Sequence, residues 1–372
     1  MWKRGHPRRR LYNAERVNNM SNDVSQQELS SDAVQRYSRQ ERFTPLGTSG
    51  QKKLGQSHVL IVGCGALGTS IAETLVRAGV GHVTLADRDY VEWSNLQRQQ
   101  LFSEQDAKAR LPKAVAAKRR LEDINSLVKI DIHVMDVRVE ELESLITDVD
   151  LIMDGTDNFD TRLLINDISQ KHNIPWIYGG CVGSYGITYT ILPGETPCLN
   201  CLLGAVPLGG DTCDTSGIIP QAVQMVTANQ TTEALKILSG HPEVLRRKLL
   251  SFDLWRNEYV SIGVDAAKKK DCLSCGDHAT YPFLSASNLE KVDVLCGRDT
   301  VQIRPSRRHT VNLEQVAVRL SKLQEGTVES NPFLVSYSIG SHRLVVFPDG
   351  RALVHGTKDI AEARTLYHRY FG

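Results

Sequence analysis

The stretch from His58 to Gly68 constrains the fold of this 372-residue chain more than any other. The apolar run His58-Val59-Leu60-Ile61-Val62 predicts a buried strand. Gly63-Cys64-Gly65-Ala66-Leu67-Gly68 then forms a G-x-G-x-x-G turn, and Leu67 to Ala78 predicts a helix ended by Gly79 to Gly81. A second β-branched run, His82 to Ala86, leads into Asp87. Strand, glycine turn, helix and strand fit within about 30 residues, the size of a βαβ unit whose strands run parallel. In that context the glycines let the backbone approach a nucleotide phosphate at the positive helix end, and an acidic group at the next strand end can bind ribose hydroxyls. The alternative is a tight strand-to-helix turn without a ligand.

The alternation continues. Helices are expected at Pro112 to Ile124, Val139 to Ile146 and Asp160 to His172, with strands at Lys129 to Val134, Asp150 to Met153 and Ile174 to Tyr178. Repeated units of this kind predict a Rossmann-like α/β fold, a mostly parallel sheet with helices on both faces. Further strands at Tyr185 to Leu192 and within Leu249 to Ile262 are expected to pair antiparallel, around a long helix from Ile218 to Leu238. At roughly 150 residues per domain the length predicts two or three domains. Residues 1–35 are polar and read as a flexible tail, with Met20 as a second candidate start, and 36–281 form the α/β domain. Residues 282–372 read as a small α+β domain: strands near 292 to 304, a helix from Asn312 to Leu323, strands at 333 to 355 and a helix from Lys358 to Tyr370.

Composition excludes several classes. Forty-four Lys and Arg against 43 Asp and Glu leave a formal charge of +1, without the basic excess of a nucleic-acid-binding protein. The longest nearly uncharged stretch, Asn173 to Gly194, is broken by Pro175 and several glycines, so no membrane span is expected. No apolar segment follows the basic first residues, which argues against a secretory signal and for the cytoplasm. Eight cysteines are too sparse for a disulfide scaffold, and four of them form two C-x-x-C pairs.

Those pairs, Cys198/Cys201 and Cys272/Cys275, supply four thiolates, the donor set of a closed structural zinc site. The alternative is two unrelated pairs of buried or redox cysteines. After Asp87 the chain carries Asn95, Gln97, Arg98 and, further on, Lys113. Arg98 offers a forked donor and Lys113 a point charge, both suited to a phosphorus centre gaining charge in a transition state. Asp154 and Asp157 follow the strand at 150–153, where open α/β sheets bind ligands; Asp157 either holds magnesium or caps the helix starting near Asp160. Cys64 and Cys296 read as core. Cys213 lies in a polar loop, Gly209 to Gly217, where Asp211 and Asp214 would raise its pKa and oppose an activated thiol.

Taken together, the motifs Arg36-Tyr37-Ser38-Arg39-Gln40, Gly63 to Gly68, Asp87-Arg88-Asp89, Ser94-Asn95-Leu96-Gln97-Arg98-Gln99, Thr156-Asp157-Asn158 and the two cysteine pairs resemble the HesA/MoeB/ThiF family of ubiquitin-activating-enzyme-like adenylyltransferases. The resemblance covers about Arg36 to Cys275. It implies that ATP and magnesium activate the C-terminal carboxylate of a small ubiquitin-like sulfur carrier ending in Gly-Gly, a ThiS- or MoaD-like protein. Asp87 would bind the ATP ribose; Asn95, Gln97, Arg98 and Lys113 would surround the phosphates; Asp157 would hold magnesium. Gly63, Gly65, Ala66, Gly68, Ser94, Leu96 and Asn158 belong to the nucleotide-binding motifs, and Arg39 would reach ATP across a homodimer interface. The four paired cysteines match the family's zinc ligands, and Cys213 falls where a carrier-linking thiol occurs. The last 90 or so residues carry no Cys-containing rhodanese loop, so a separate protein is expected to donate sulfur. The thiazole and molybdopterin pathways stay open. Competing readings are an NAD-dependent oxidoreductase on the same glycine fingerprint and a non-catalytic nucleotide- and carrier-binding scaffold.

Overall fold

Strand β1 (His58–Val62) is apolar throughout because both its faces are covered. Val59 and Ile61 pack with Ile71, Leu75 and Leu121 on one face, and Leu60 and Val62 pack with Leu142, Ile152 and Ile165 on the other. A computed structural model describes residues 31–203, 216–285, 291–294, 299–304 and 310–371. Cys213, Cys296 and the tail residues 1–30 lie outside these.

The remaining strands of the first sheet are β2 (His82–Asp87), β3 (Lys129–Val134), β4 (Leu151–Asp154), β5 (Trp176–Val182), β6 (Tyr185–Ile191), β7 (Leu249–Asp253) and β8 (Glu258–Ile262). Their order is β3-β2-β1-β4-β5-β6-β7-β8. The first five run parallel, with Val59 opposite both Val83 and Leu151, and the last three pair antiparallel. The expected parallel core with antiparallel late strands is therefore present.

Helix α3 (Ala66–Ala78) starts at the glycine turn, α5 (Lys113–Ile124) and α7 (Phe159–His172) begin near the carboxyl ends of β2 and β4, and the shorter α4 (Glu104–Ala109) and α6 (Val139–Leu145) lie between them in the chain. Four α-helices among the described residues escaped the sequence reading: α4, the short helix Leu199–Leu203, and two that precede β1. α1 (Ser31–Glu41) takes in the last residues of the expected tail; its polar side chains are held by hydrogen bonds, Gln40 Nε2 to the Ala78 carbonyl (2.8 Å) and Asn125 Nδ2 to Tyr37 Oη (2.9 Å). α2 (Gly47–Leu54) contains two glycines that lower helix propensity, and forms because Leu54 is buried in the core.

The second sheet is antiparallel, in the order β11-β12-β13-β14-β10-β9: β9 (Lys291–Val294), β10 (Thr300–Arg304), β11 (Thr327–Asn331), β12 (Leu334–Ile339), β13 (His342–Val346) and β14 (Ala352–His355). Strand β11 was not expected. Alternate residues face opposite ways. Val335, Tyr337, Leu344, Val346 and Val354 pack with Leu320 and Tyr370 of helices Leu313–Ser321 and Ile360–Tyr370. Leu334, Val345, Leu353 and nearby Phe347 instead bury Tyr90, which belongs to the first unit. No helix among the described residues is long and apolar enough to cross a membrane.

Candidate active site at the sheet switch point

The strand order reverses at β1, so a crevice opens between the carboxyl ends of β1 and β4, where sheets of this kind bind ligands. The glycine turn fills one wall. Gly63 has φ +92°, a conformation that disfavours side chains, and a Cβ there would stand 2.5 Å from the Gly155 carbonyl oxygen. A Cβ on Gly68 would collide with the Gly63 carbonyl, and one on Gly155 would lie 2.6 Å from the same oxygen. These three glycines are demanded by the protein's own packing. Gly65 is different: the nearest atoms to its Cβ position are Gln99 Nε2 at 3.9 Å and the Gly155 oxygen at 4.0 Å. Space is open at Gly65, next to the first turn of α3, whose leading N–H groups lack helical partners. Ala66 is partly buried against the core.

Asp87, at the end of β2, accepts the Cys64 N–H at 2.6 Å and the Asp89 N–H at 2.7 Å, which ties the two motifs together. Burial pushes its carboxyl up, and neighbouring Lys113 pulls against that rise. Each oxygen retains a second lone pair for a ribose hydroxyl. Lys113 is 3% exposed at the first position of α5; its N–H donates to the Asp89 carbonyl (2.9 Å) and its Nζ to Asp89 Oδ2 (3.2 Å). The structure thus brings Lys113 to Asp89, twenty-four residues earlier in the chain.

The motif after β2 forms a short 3₁₀ turn, Trp93–Asn95. Asn95 is fully buried; its Oδ1 accepts the Glu92 N–H (3.0 Å), while its Nδ2 has no hydrogen-bond partner among the described residues. Gln99 Oε1 is likewise buried without a partner. These two orphaned buried polar atoms, one of them in the side chain that borders open Gly65, are available to a polar ligand. Sequence reasoning did not assign Gln99 a role; the signal for it is its place four residues after Asn95, whose carbonyl accepts the Gln99 N–H at 2.9 Å. Half-buried Arg98 donates to the Ser94 carbonyl (2.8 Å), and exposed Gln97 to the Ile218 carbonyl (3.2 Å). Leu96 packs against the core and Ser94 is exposed.

On the β4 side, Asp154 is fully buried and committed to structure. Its Oδ1 accepts the Thr156 N–H and hydroxyl (2.9 and 2.7 Å), and its Oδ2 accepts Arg162 Nε at 3.0 Å. Arg162 also donates to the Thr156 and Gly179 carbonyls (2.8 and 2.9 Å) and lies over Tyr178. This buried pair shapes the loop at 154–157, and the sequence reading missed it. The expectation that Asp157 caps the following helix is corrected: Asn158 is the cap, its Oδ1 accepting the Thr161 N–H at 2.9 Å. Asp157 is left exposed at the mouth of the crevice, so it can hold a hydrated magnesium ion. Arg39 is exposed on α1, which is anchored at the Ala78 end of α3, some 18 Å along that helix from the glycine turn of its own chain.

The four cysteines converge. All four Sγ atoms lie within 4.8 Å of one another, with Cys198–Cys272 at 3.7 Å and Cys201–Cys275 at 3.6 Å. Four sulfurs tetrahedrally placed about zinc are roughly 3.8 Å apart, whereas disulfide sulfurs are bonded at about 2.0 Å. The cluster fits zinc. It is clamped to α7, where Asn166 Oδ1 accepts the Leu199 N–H at 2.8 Å.

Comparison with known proteins places these features in context. The ThiF family pattern matches residues 37–274. Over 338 residues the chain is 54% identical to the sulfur carrier protein ThiS adenylyltransferase of Bacillus subtilis strain 168, covering 91% of this chain and 99% of that protein. It is 33% identical over 258 residues to a sulfur carrier protein adenylyltransferase of Thermus thermophilus, covering 66% and 92% respectively. The crystal structure of Escherichia coli MccB with ATP aligns at TM-score 0.55 and 23% identity, over 65% of this chain and 74% of that one. That likeness is one of fold.

Proposed function

This chain is a member of the ThiF family, and from that premise we propose that it uses ATP to adenylate the C-terminal glycine of a small ubiquitin-like sulfur carrier. The observation that carries the reading is the open space at Gly65 beside the Gln99 amide nitrogen, together with the buried Gln99 Oε1 and Asn95 Nδ2, which lack partners among the described residues. The name of the Bacillus relative favours a ThiS-like carrier, and hence the thiazole side of sulfur transfer. Residues 36–281 form the adenylating unit and 282–372 a second one, in a cytoplasmic protein.

The carrier carboxylate is ionised at neutral pH, since an α-carboxyl titrates near 3.3–3.7. It attacks the α-phosphorus; a carboxylate oxygen–phosphorus bond forms, the bond to the β-phosphate bridging oxygen breaks, and pyrophosphate leaves with the electron pair. No general base is needed. The chain's work is positioning and cationic stabilisation of phosphate oxygens. Asp87 holds the ribose, Arg98 and Lys113 face the phosphates, and Asp157 holds magnesium, which supplies charge neutralisation when bound. Arg39 serves the site of a second copy in a homodimer, since its own glycine turn is too distant, and a separate protein supplies sulfur. A hydride-transfer enzyme has no use for the two cations.

The test is ATP–pyrophosphate exchange with a purified carrier ending in Gly-Gly. We expect exchange that requires the carrier, and none with a carrier shortened by its last glycine; exchange indifferent to the carrier would refute the reading, and nucleotide binding without exchange would favour the scaffold. Two glycines should separate packing from binding. Gly65→Ala is expected to keep stability within about 1 kcal/mol and to lose exchange at least tenfold, while Gly68→Ala should cost roughly 1–3 kcal/mol or more by overpacking. Cys213→Ala should keep full exchange, because the nucleophile is the carrier's carboxylate, and lose any reductant-sensitive covalent complex with the carrier.

A further inference from the structure

The second sheet reaches the nucleotide site through buried charge. Arg351, in the turn before β14, is 1% exposed, and its guanidinium stacks 3.9 Å above the Phe347 ring. Its Nη2 donates to the Arg88 carbonyl oxygen at 2.6 Å, across 263 positions of sequence. Arg88 stands between Asp87 and Asp89, the partner of Lys113. The side chain of the same residue is held from the other direction. Arg88 Nη1 donates to Asp136 Oδ1 at 3.1 Å, and Arg304 of β10 brings Nε to 2.9 Å from Asp136 Oδ2. One residue of the nucleotide loop is therefore fixed at its backbone by Arg351 and at its side chain, through Asp136, by Arg304.

The cover over Tyr90 is apolar without these arginines. Leu334, Val345, Phe347 and Leu353 already cover Tyr90 with apolar surface. A buried guanidinium is costly, and apolar residues of similar volume often replace such groups without loss of stability. Arg351 Nε lies 3.7 Å from Asp349 Oδ2 without a hydrogen bond, Nη1 has no hydrogen-bond partner among the described residues, and the side chain's hydrogen bond is the one to the Arg88 carbonyl. Asp136 is held below the usual carboxylate range, the pull of Arg304, Arg88 and Arg351 outweighing the opposing effect of burial.

We propose that Arg351 and Arg304 are positioning residues of the adenylation site: by fixing Arg88 they set Asp87 and the Asp89–Lys113 pair for ATP, which makes the second sheet part of the nucleotide site. This rests on the adenylyltransferase reading. The full-length protein is compared with Arg351→Met, Arg351→Lys and Arg304→Gln, and with Val335→Ala, which opens a cavity on the helix-facing side of the same sheet. ATP binding is measured by titration calorimetry without carrier, and KM and kcat by carrier-dependent exchange, with melting temperature recorded for each variant. Arg351→Met should weaken ATP binding and raise KM for ATP about tenfold, the size of one lost charge-assisted hydrogen bond, with kcat and KM for the carrier within about twofold. Arg351→Lys should recover part of the loss, and Val335→Ala should lower the melting temperature without changing KM for ATP. Wild-type ATP affinity in folded Arg351→Met overturns the proposal, as does an equal loss of affinity in Val335→Ala. If Arg351→Met does not fold, unchanged ATP affinity in Arg304→Gln overturns it instead. A wild-type protein that binds ATP but supports no exchange would remove the adenylation reading, and the calorimetric comparison would still decide the positioning role.

Discussion

Arg98→Ala is expected to fold as the wild type does and to lose carrier-dependent ATP–pyrophosphate exchange by roughly 10²–10³-fold, the usual cost of removing one donor aimed at developing charge. The side chain is half-buried, and its hydrogen bond within the protein runs to the nearby Ser94 carbonyl. Truncation therefore leaves no buried charge unpaired, and the stability change should stay within about 1 kcal/mol. Lys113→Ala offers a contrast. Lys113 is buried against Asp89, so its removal strips a partner from a partly buried carboxylate and should cost roughly 3 kcal/mol of stability besides activity. Arg98→Ala is thus the cleaner probe. Near-wild-type exchange in that variant, with an unchanged melting curve, would take Arg98 away from the phosphates.

Loss of the metal should have the largest effect on stability. Structural zinc sites of four thiolates contribute apparent binding free energies of roughly 10–16 kcal/mol at neutral pH, and the Sγ spacing here already matches that coordination. One zinc per chain is expected by elemental analysis of protein purified without chelator. Cys201→Ser should lower metal content and stability together, by about 3 kcal/mol or more, which in a unit of this size corresponds to a fall of roughly 6–12 °C in melting temperature. Exchange measured well below that temperature should persist, because the cluster meets α7 at Asn166, about 12 Å along the helix from Asn158. Metal-free protein with four titratable thiols and an unchanged melting curve would dispose of the site.

The chemistry of the site was legible where it is carried by short motifs. Gly63, Asp87 and the cysteine pairs stood out because each depends on a local turn or a fixed ligand spacing. The role of Asp157 was ambiguous because two neighbouring residues, Asp157 and Asn158, can each cap a helix, and only the geometry shows Asn158 doing so. Asp154 resembled a ligand in the sequence and proved to be the buried partner of Arg162. The sequence places a carboxylate at a strand end but does not show which of its oxygens are already occupied.

The sequence by itself determined the parallel core, since β1, the glycine turn, α3 and β2 are specified by apolar period and by steric demands within thirty residues. It also determined the cysteine donor set. Tertiary structure decided what those elements face. Glycines 63, 68 and 155 interlock only after β4 docks beside β1, which singles out Gly65 as the open position. Both faces of the second sheet are apolar, and the sequence could not say that one of them closes on Tyr90 while Arg351 reaches Arg88. Periodicity specifies which side of an element is buried, because that depends on the residue's own hydration. The partner it is buried against depends on contacts hundreds of positions away, and local physics carries no record of them.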